Sequence, residues 1–130
     1  MDIEYQKAVK EYSVSHMNNA KWRKLFIGWA KSGIKIEFTE WSFIGSEHKE
    51  THRLPHENEL MDIRFSDGQF QPFEYKWIRT IYIPKSYRPV PNVGFERNQD
   101  IEGLKEIARK LGHFPIFEIV NGIEIRGYEK

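Results

Sequence analysis

Apolar positions recur with helical spacing in residues 19–32. Trp22, Leu25, Phe26, Trp29 and Ala30 fall at i, i+3, i+4, i+7 and i+8 and share one face. Asn18 or Asn19 can cap the first turn, and Gly33 can close the last one in the left-handed conformation. Full burial of such side chains is worth roughly 1.5–3 kcal/mol each, so this helix is predicted to organise the core. Lys21, Arg23, Lys24 and Lys31 fall mostly on its wet side. A shorter helix is predicted over 2–12, capped by Asp2, with Tyr5, Ala8, Val9 and Tyr12 on one face.

Beyond Gly33 the period changes to two. Ile34, Ile36 and Phe38 alternate with Lys35, Glu37 and Thr39 as in a half-buried strand, and Trp41 and Phe43 continue at odd positions. One face cannot hold both sets, so a bulge, a kink or a change of face is expected near Glu40. Residues 45–59 are polar and read as an exposed connection. Met61, Ile63 and Phe65 mark a strand that ends in the turn Ser66-Asp67-Gly68-Gln69. Residues 73–83 form the strongest strand pattern, with Tyr75, Trp77, Ile81 and Ile83 on one face and Ile78 and Tyr82 on the other. Apolar residues on both faces predict a central position in the sheet. Arg79 within it needs an acidic partner or a route to solvent.

Residues 84–97 carry Pro84, Pro89, Pro91 and Gly94 and read as a long loop. Asn98 or Asp100 then caps a helix with Ile101, Leu104, Ile107, Ala108 and Leu111 on one face, stopped by Gly112 and Pro115. Phe117 and Ile119 face Ile123 and Ile125 across Asn121-Gly122, a pair suited to a type I′ hairpin turn. The expected fold is α+β: one domain over 1–130, with 1–16 as a helical extension. Two or three helices pack on a mainly antiparallel sheet, and the chain ends in a helix and a β-hairpin.

Composition narrows the functional classes. Aromatic residues make up 15% and charged residues 30% of the chain, too aromatic for disorder and too charged for a membrane span. The N-terminus lacks a secretory pattern, and with no cysteine there are no disulfides or thiolate sites. A cytoplasmic domain without a membrane partner is the resulting expectation. A formal net charge of +1 gives no strong field toward nucleic acid.

Candidate chemistry is sparse. His48, His52 and His56 are spaced by four, which on a helix would bring imidazoles together for a metal. Pro55 interrupts that helix, so a polar loop is the plainer reading. A small metal-assisted hydrolase or nuclease built on these histidines is one alternative. A second is nucleic-acid binding through the basic face of helix 18–33, although its tryptophans lie on the core stripe, away from the charges. No nucleophile motif or phosphate cradle is found, and the reading leans away from an enzyme and from any cofactor. The 84–97 loop carries Tyr87, Arg88, Phe95 and Arg97, residue types enriched at interface hot spots. The expected function is protein binding of an immunity or regulatory kind, with self-association left open.

Three stretches carry a family resemblance: Met17-Asn18-Asn19-Ala20-Lys21-Trp22-Arg23-Lys24-Leu25-Phe26, Phe73 to Ile81, and Phe114 to Tyr128. The chain resembles a family of small uncharacterised bacterial proteins built on a domain of unknown function, over roughly residues 17–128. The Asn-Asn-x-Lys-Trp opening is the most specific mark. The resemblance implies no catalytic residues. Where that pattern often reads Ile-Glu-Trp in the central strand, this chain has Ile78-Arg79-Thr80.

Overall fold

The computed structural model describes residues 2–12, 14–65, 73–90 and 94–129, with side chains from residue 6 onward. The expected turn at 66–69, Pro91 of the long loop, and the side chains of Asp2 and Tyr5 lie outside the described residues.

Helix α1 (Asp2–Val9) is followed by strand β1 (Val14–Ser15) and helix α2 (Asn19–Lys31). Strands β2 (Thr39–Phe43), β3 (Lys49–His52), β4 (Arg64–Phe65), β5 (Phe73–Glu74) and β6 (Ile78–Pro84) come next. A two-stranded arm, β7 (Ser86–Tyr87) with β8 (Arg97–Asn98), leads to helix α3 (Ile101–Leu111). Strands β9 (Ile116–Ile119), β10 (Gly122–Arg126) and β11 (Tyr128–Glu129) complete the order. The main sheet runs β3-β2-β6-β10-β9, antiparallel throughout, so β6 is central as its two-sided apolar content predicts. The α+β architecture of the sequence analysis is the observed one.

The register divides the sheet into two faces. Trp41 stands opposite Ile81 and Ile81 opposite Ile125, all buried beneath α2 and α3. Glu40, Ser42, Thr80, Tyr82, Glu124 and Arg126 occupy the other face, half-buried and polar. Phe117 pairs with Glu124 on that face, with the Arg126 guanidinium 4.0 Å from its ring centroid. Trp22, Leu25, Phe26 and Trp29 project from α2 into the core, as the helical stripe predicts. Asn18 caps α2 by accepting the Lys21 N–H at 2.8 Å, and Gly33 takes φ 78° behind it. In α3, the Asp100 side chain accepts the Gly103 N–H at 2.9 Å.

Six expectations need correction, most of them because the backbone finds partners that periodicity cannot show. Residues 34–38 are no ladder strand, because the side-chain amide of Gln99 takes the place of a neighbouring strand. Its Oε1 accepts the N–H groups of Glu37 and Phe38 at 3.0 Å each. Its Nε2 donates to the carbonyls of Phe38 at 3.0 Å and Pro84 at 2.9 Å. Strand β2 therefore starts at Thr39 with Thr39, Trp41 and Phe43 inward, and the register slips between Ser42 and Phe43, just past the expected position.

The strand expected over 73–83 is split: Phe73–Glu74 pair with β4, and the main-sheet strand begins at Ile78. Tyr75–Trp77 form a 3-10 turn whose backbone bonds to Ile63 and Ile44 instead of a ladder, and Ile78 joins Ile81 in the core. Arg79 reaches solvent, with its guanidinium 5.5 Å from the Tyr12 ring centroid. In the segment expected at 61–65 only Arg64–Phe65 pair as strand. Phe65 is buried there, while Met61 and Ile63 are exposed.

The last hairpin turns through Val120-Asn121 instead of Asn121-Gly122. Ile119 pairs with Gly122, and Asn121 alone among the described non-glycine residues has positive φ, 62°. Gly122 is needed for close approach: a Cβ there would drive into the Ile83 carbonyl and sit 2.9 Å from Pro84 Cα. Gly122→Ala is therefore expected to cost about 2 kcal/mol by prying β10 from β6, measured as a lower urea midpoint.

Segment 45–59, read as an exposed connection, contains the edge strand β3 and a 3-10 turn, Glu57–Glu59. Within the segment read as a loop over 84–97, Ser86 and Tyr87 pair with Asn98 and Arg97 as the β7–β8 arm. At the other end of the chain β1 pairs with β11, and the Tyr12 and Tyr128 rings lie 5.6 Å apart. That contact fastens the N-terminal segment to the last strand.

Candidate partner-binding surface

The arm leaves the sheet at Lys85 and returns at Gln99, where the Gln99 N–H donates to the Lys85 carbonyl at 2.7 Å. Gln99 thus closes the base of the arm with its backbone while its side chain binds segment 34–38. Two of the four residues singled out in the loop lean on that same segment. Tyr87 stacks on Phe38 with centroids 5.1 Å apart and planes 20° apart. Arg97 Nη1 lies 3.6 Å from Glu37 Oε2, an exposed pair that contributes little to stability. Arg88 turns back across the arm and donates to the Gly94 carbonyl at 3.0 Å.

Phe95 does none of this. It is 93% exposed, matched among the described large apolar residues only by Val120 at 93%. Val120 occupies the β9–β10 turn, and that turn is bonded to the base of the arm. The Asn121 carbonyl accepts the Lys85 N–H at 2.8 Å, and Asn121 Nδ2 donates to the Ser86 carbonyl at 3.2 Å. The two projecting side chains are thus carried by elements joined at their bases. Sequence reasoning found Phe95 but missed Val120 and Gln99. An apolar residue between Ile119 and Asn121 is a readable signal, because turn centres are ordinarily polar. A lone glutamine ahead of a helix cap carries none.

The histidine segment does not assemble. His52 ends strand β3, so its distance from His48 is roughly 13 Å at the extended rise of about 3.3 Å per residue, instead of one helical turn. The His52 side chain is 8% exposed and packs edge-on against Trp41 and Phe73, with Glu50 Oε2 at 3.8 Å. His48 and His56 are exposed. Among the described residues no three His, Cys, Asp or Glu side chains are placed to hold a metal ion.

What the segment does contain is an ion pair. Arg53 grips Glu59 in a two-point pair at 2.8 and 2.9 Å, and Glu59 Oε1 also accepts the His56 N–H at 2.7 Å. Hydrogen bonds from Arg53 hold the Glu59 carboxyl below its ordinary value of 4.5, against the opposing effect of burial. A carboxyl lowered in the folded state adds stability that is complete above 4.5 and is lost as pH falls through the folded value. Glu59→Gln is accordingly expected to flatten the fall in stability below pH 4.5, read from urea midpoints across the acid range.

The basic face of α2 keeps the separation expected of it. Trp22 and Trp29 are buried, and the Trp29 Nε1–H donates to the Leu104 carbonyl at 3.0 Å. Neither indole is available to stack on a base. Burial pushes the Tyr75 hydroxyl up to about 12, and it donates to the Met61 carbonyl at 2.7 Å, so it stays neutral in a structural bond. Among the described residues no helix is long and apolar enough to cross a membrane.

No protein-family model, curated protein or solved structure matches this chain.

Proposed function

We propose that the chain is a cytoplasmic protein-binding domain of the immunity or regulatory kind, which acts by occupying a partner protein's surface through the β7–β8 arm and the adjoining Val120 turn. The observation that carries this reading is the exposure of Phe95 on a braced arm. A phenylalanine turned wholly to water forgoes roughly 1.5–3 kcal/mol of burial, which a partner's pocket can recover. Tyr87, Arg88 and Arg97 serve this surface by bracing it: each makes a contact to segment 34–38 or within the arm. The paired strands β7 and β8 are already formed, so they lose little ordering entropy on binding.

The test compares the chain with Phe95→Ala and Val120→Ala variants, alone and combined, for complex formation in its own host. Phe95→Ala is expected to weaken the complex about 30-fold, the mark of a hot-spot residue, with no change in melting temperature. Tyr87→Ala is expected to lower the melting temperature as well, because it also removes the Phe38 stack. A Phe95→Ala variant that binds at full strength overturns the assignment.

A further inference from the structure

Helix α2 carries a second feature that the arm does not explain. Along α2, beside the last residue of α3, runs a groove of about 700 Å³. Its floor is apolar: Ile27 and Gly28 from α2 and Leu111 from the end of α3. Gly28 lets α3 come close at this point: Leu111 lies where a Cβ would stand and so forms part of the floor. Arg23, Lys24 and Lys31 line it with cations, against a single acid, Asp62. The cations lie at both ends of the apolar bed, seven or eight residues apart, which is roughly 10–12 Å along a helix.

Among the described residues two of these cations are poorly matched. Among the described residues Arg23 Nε is buried without a hydrogen-bond partner. Lys31 Nζ reaches only Glu57, at 4.0 Å, with both groups more than half exposed. An apolar bed with a cation at each end complements a helix that offers apolar residues between carboxylates spaced at i and i+7, which are also roughly 10.5 Å apart. Phosphates would gain the cations but would face apolar side chains in place of donors.

We infer that this groove docks an acidic amphipathic helix of a partner protein, its apolar stripe on Ile27, Gly28 and Leu111 and its carboxylates at Arg23, Lys24 and Lys31. The site lies on other elements than the arm and stands or falls separately from it. The test is titration of the full-length, isotope-labelled chain, followed by amide NMR shifts. One probe is a synthetic helical peptide of about 16 residues with Leu at i+3 and i+4 between Glu at i and i+7. A second carries Gln in place of each Glu, and a third is a short single-stranded RNA.

The Glu peptide is expected to give saturable shifts at Ile27, Gly28 and Leu111, and the Gln peptide to bind about tenfold more weakly. Lys24→Glu with Lys31→Glu, both at exposed positions, is expected to remove binding without changing the melting temperature. Arg23→Gln supplies the contribution of the half-buried guanidinium. Equal affinity for the two peptides, no saturable shift at the groove, or tighter RNA binding at the same amides each overturns the inference.

Discussion

Gln99→Leu is expected to destabilise the domain by about 3 kcal/mol, although leucine is similar in size and suits a buried position better by polarity alone. The Gln99 amide uses its full capacity, two acceptor sites and two donors, on four backbone groups of two segments distant in sequence. Leucine would leave those groups without partners, and each buried orphan costs about 1–3 kcal/mol. Water can reach the partly buried Glu37 and Phe38 amides, so the total falls short of the sum. In a domain of this size the loss corresponds to a melting temperature lower by roughly 10 °C. Gln99→Glu keeps the acceptor but turns a carboxylate oxygen toward the Phe38 and Pro84 carbonyls, and at neutral pH should cost at least as much. Segment 34–38 also supports Tyr87 and Arg97, so the leucine variant is expected to speed hydrogen exchange at the base of the arm first. Unchanged stability in Gln99→Leu would mean that the apolar contacts of Ile34 and Ile36 and the Leu54 N–H bond to the Ile36 carbonyl suffice to hold this segment.

Trp29→Ala is expected to cost about 4 kcal/mol, enough to leave a domain of ordinary stability partly unfolded at room temperature. Its indole is buried, packs 6.4 Å from the Phe26 ring and joins α2 to α3 through the bond to the Leu104 carbonyl. Removing it creates a large cavity and leaves that carbonyl with its intrahelical bond alone. Trp29→Phe fills most of the cavity but cannot donate, and should cost about half as much. Urea unfolding followed by circular dichroism separates the two. Comparable stability of all three chains would contradict the assignment of Trp29 as a structural anchor.

These two residues also mark how far the sequence could be read. Trp29 announced its role, because helical spacing, the Asn18 cap and Gly33 all point to one element, and α3 was legible for the same reasons. Local signals of that kind are written within a dozen residues. Gln99 was illegible, because its partners Phe38 and Pro84 lie 61 and 15 residues away, and the alternation of 34–38 describes a strand equally well. Asn121-Gly122 misled for a related reason. Its glycine fits both a left-handed turn and a close strand contact, and only the neighbouring Ile83 carbonyl decides between them.

The candidate surface was half legible. Composition pointed to Tyr87, Arg88, Phe95 and Arg97 together, but their division into bracing and projecting residues depends on contacts with Phe38, Glu37 and Gly94. The spacing of His48, His52 and His56 had meaning only on a helix. Strand β3 removes that meaning by pointing His52 into the aromatic cluster.

The most direct measurement of the central claim is site-specific photo-crosslinking within the host cell. A photoreactive phenylalanine analogue would be placed in turn at position 95, at position 120, and at Lys49 on the polar sheet face. The account predicts one discrete crosslinked protein shared by positions 95 and 120 and absent from position 49. Crosslinking from position 49 with none from position 95 would move the contact surface to the sheet and contradict the account.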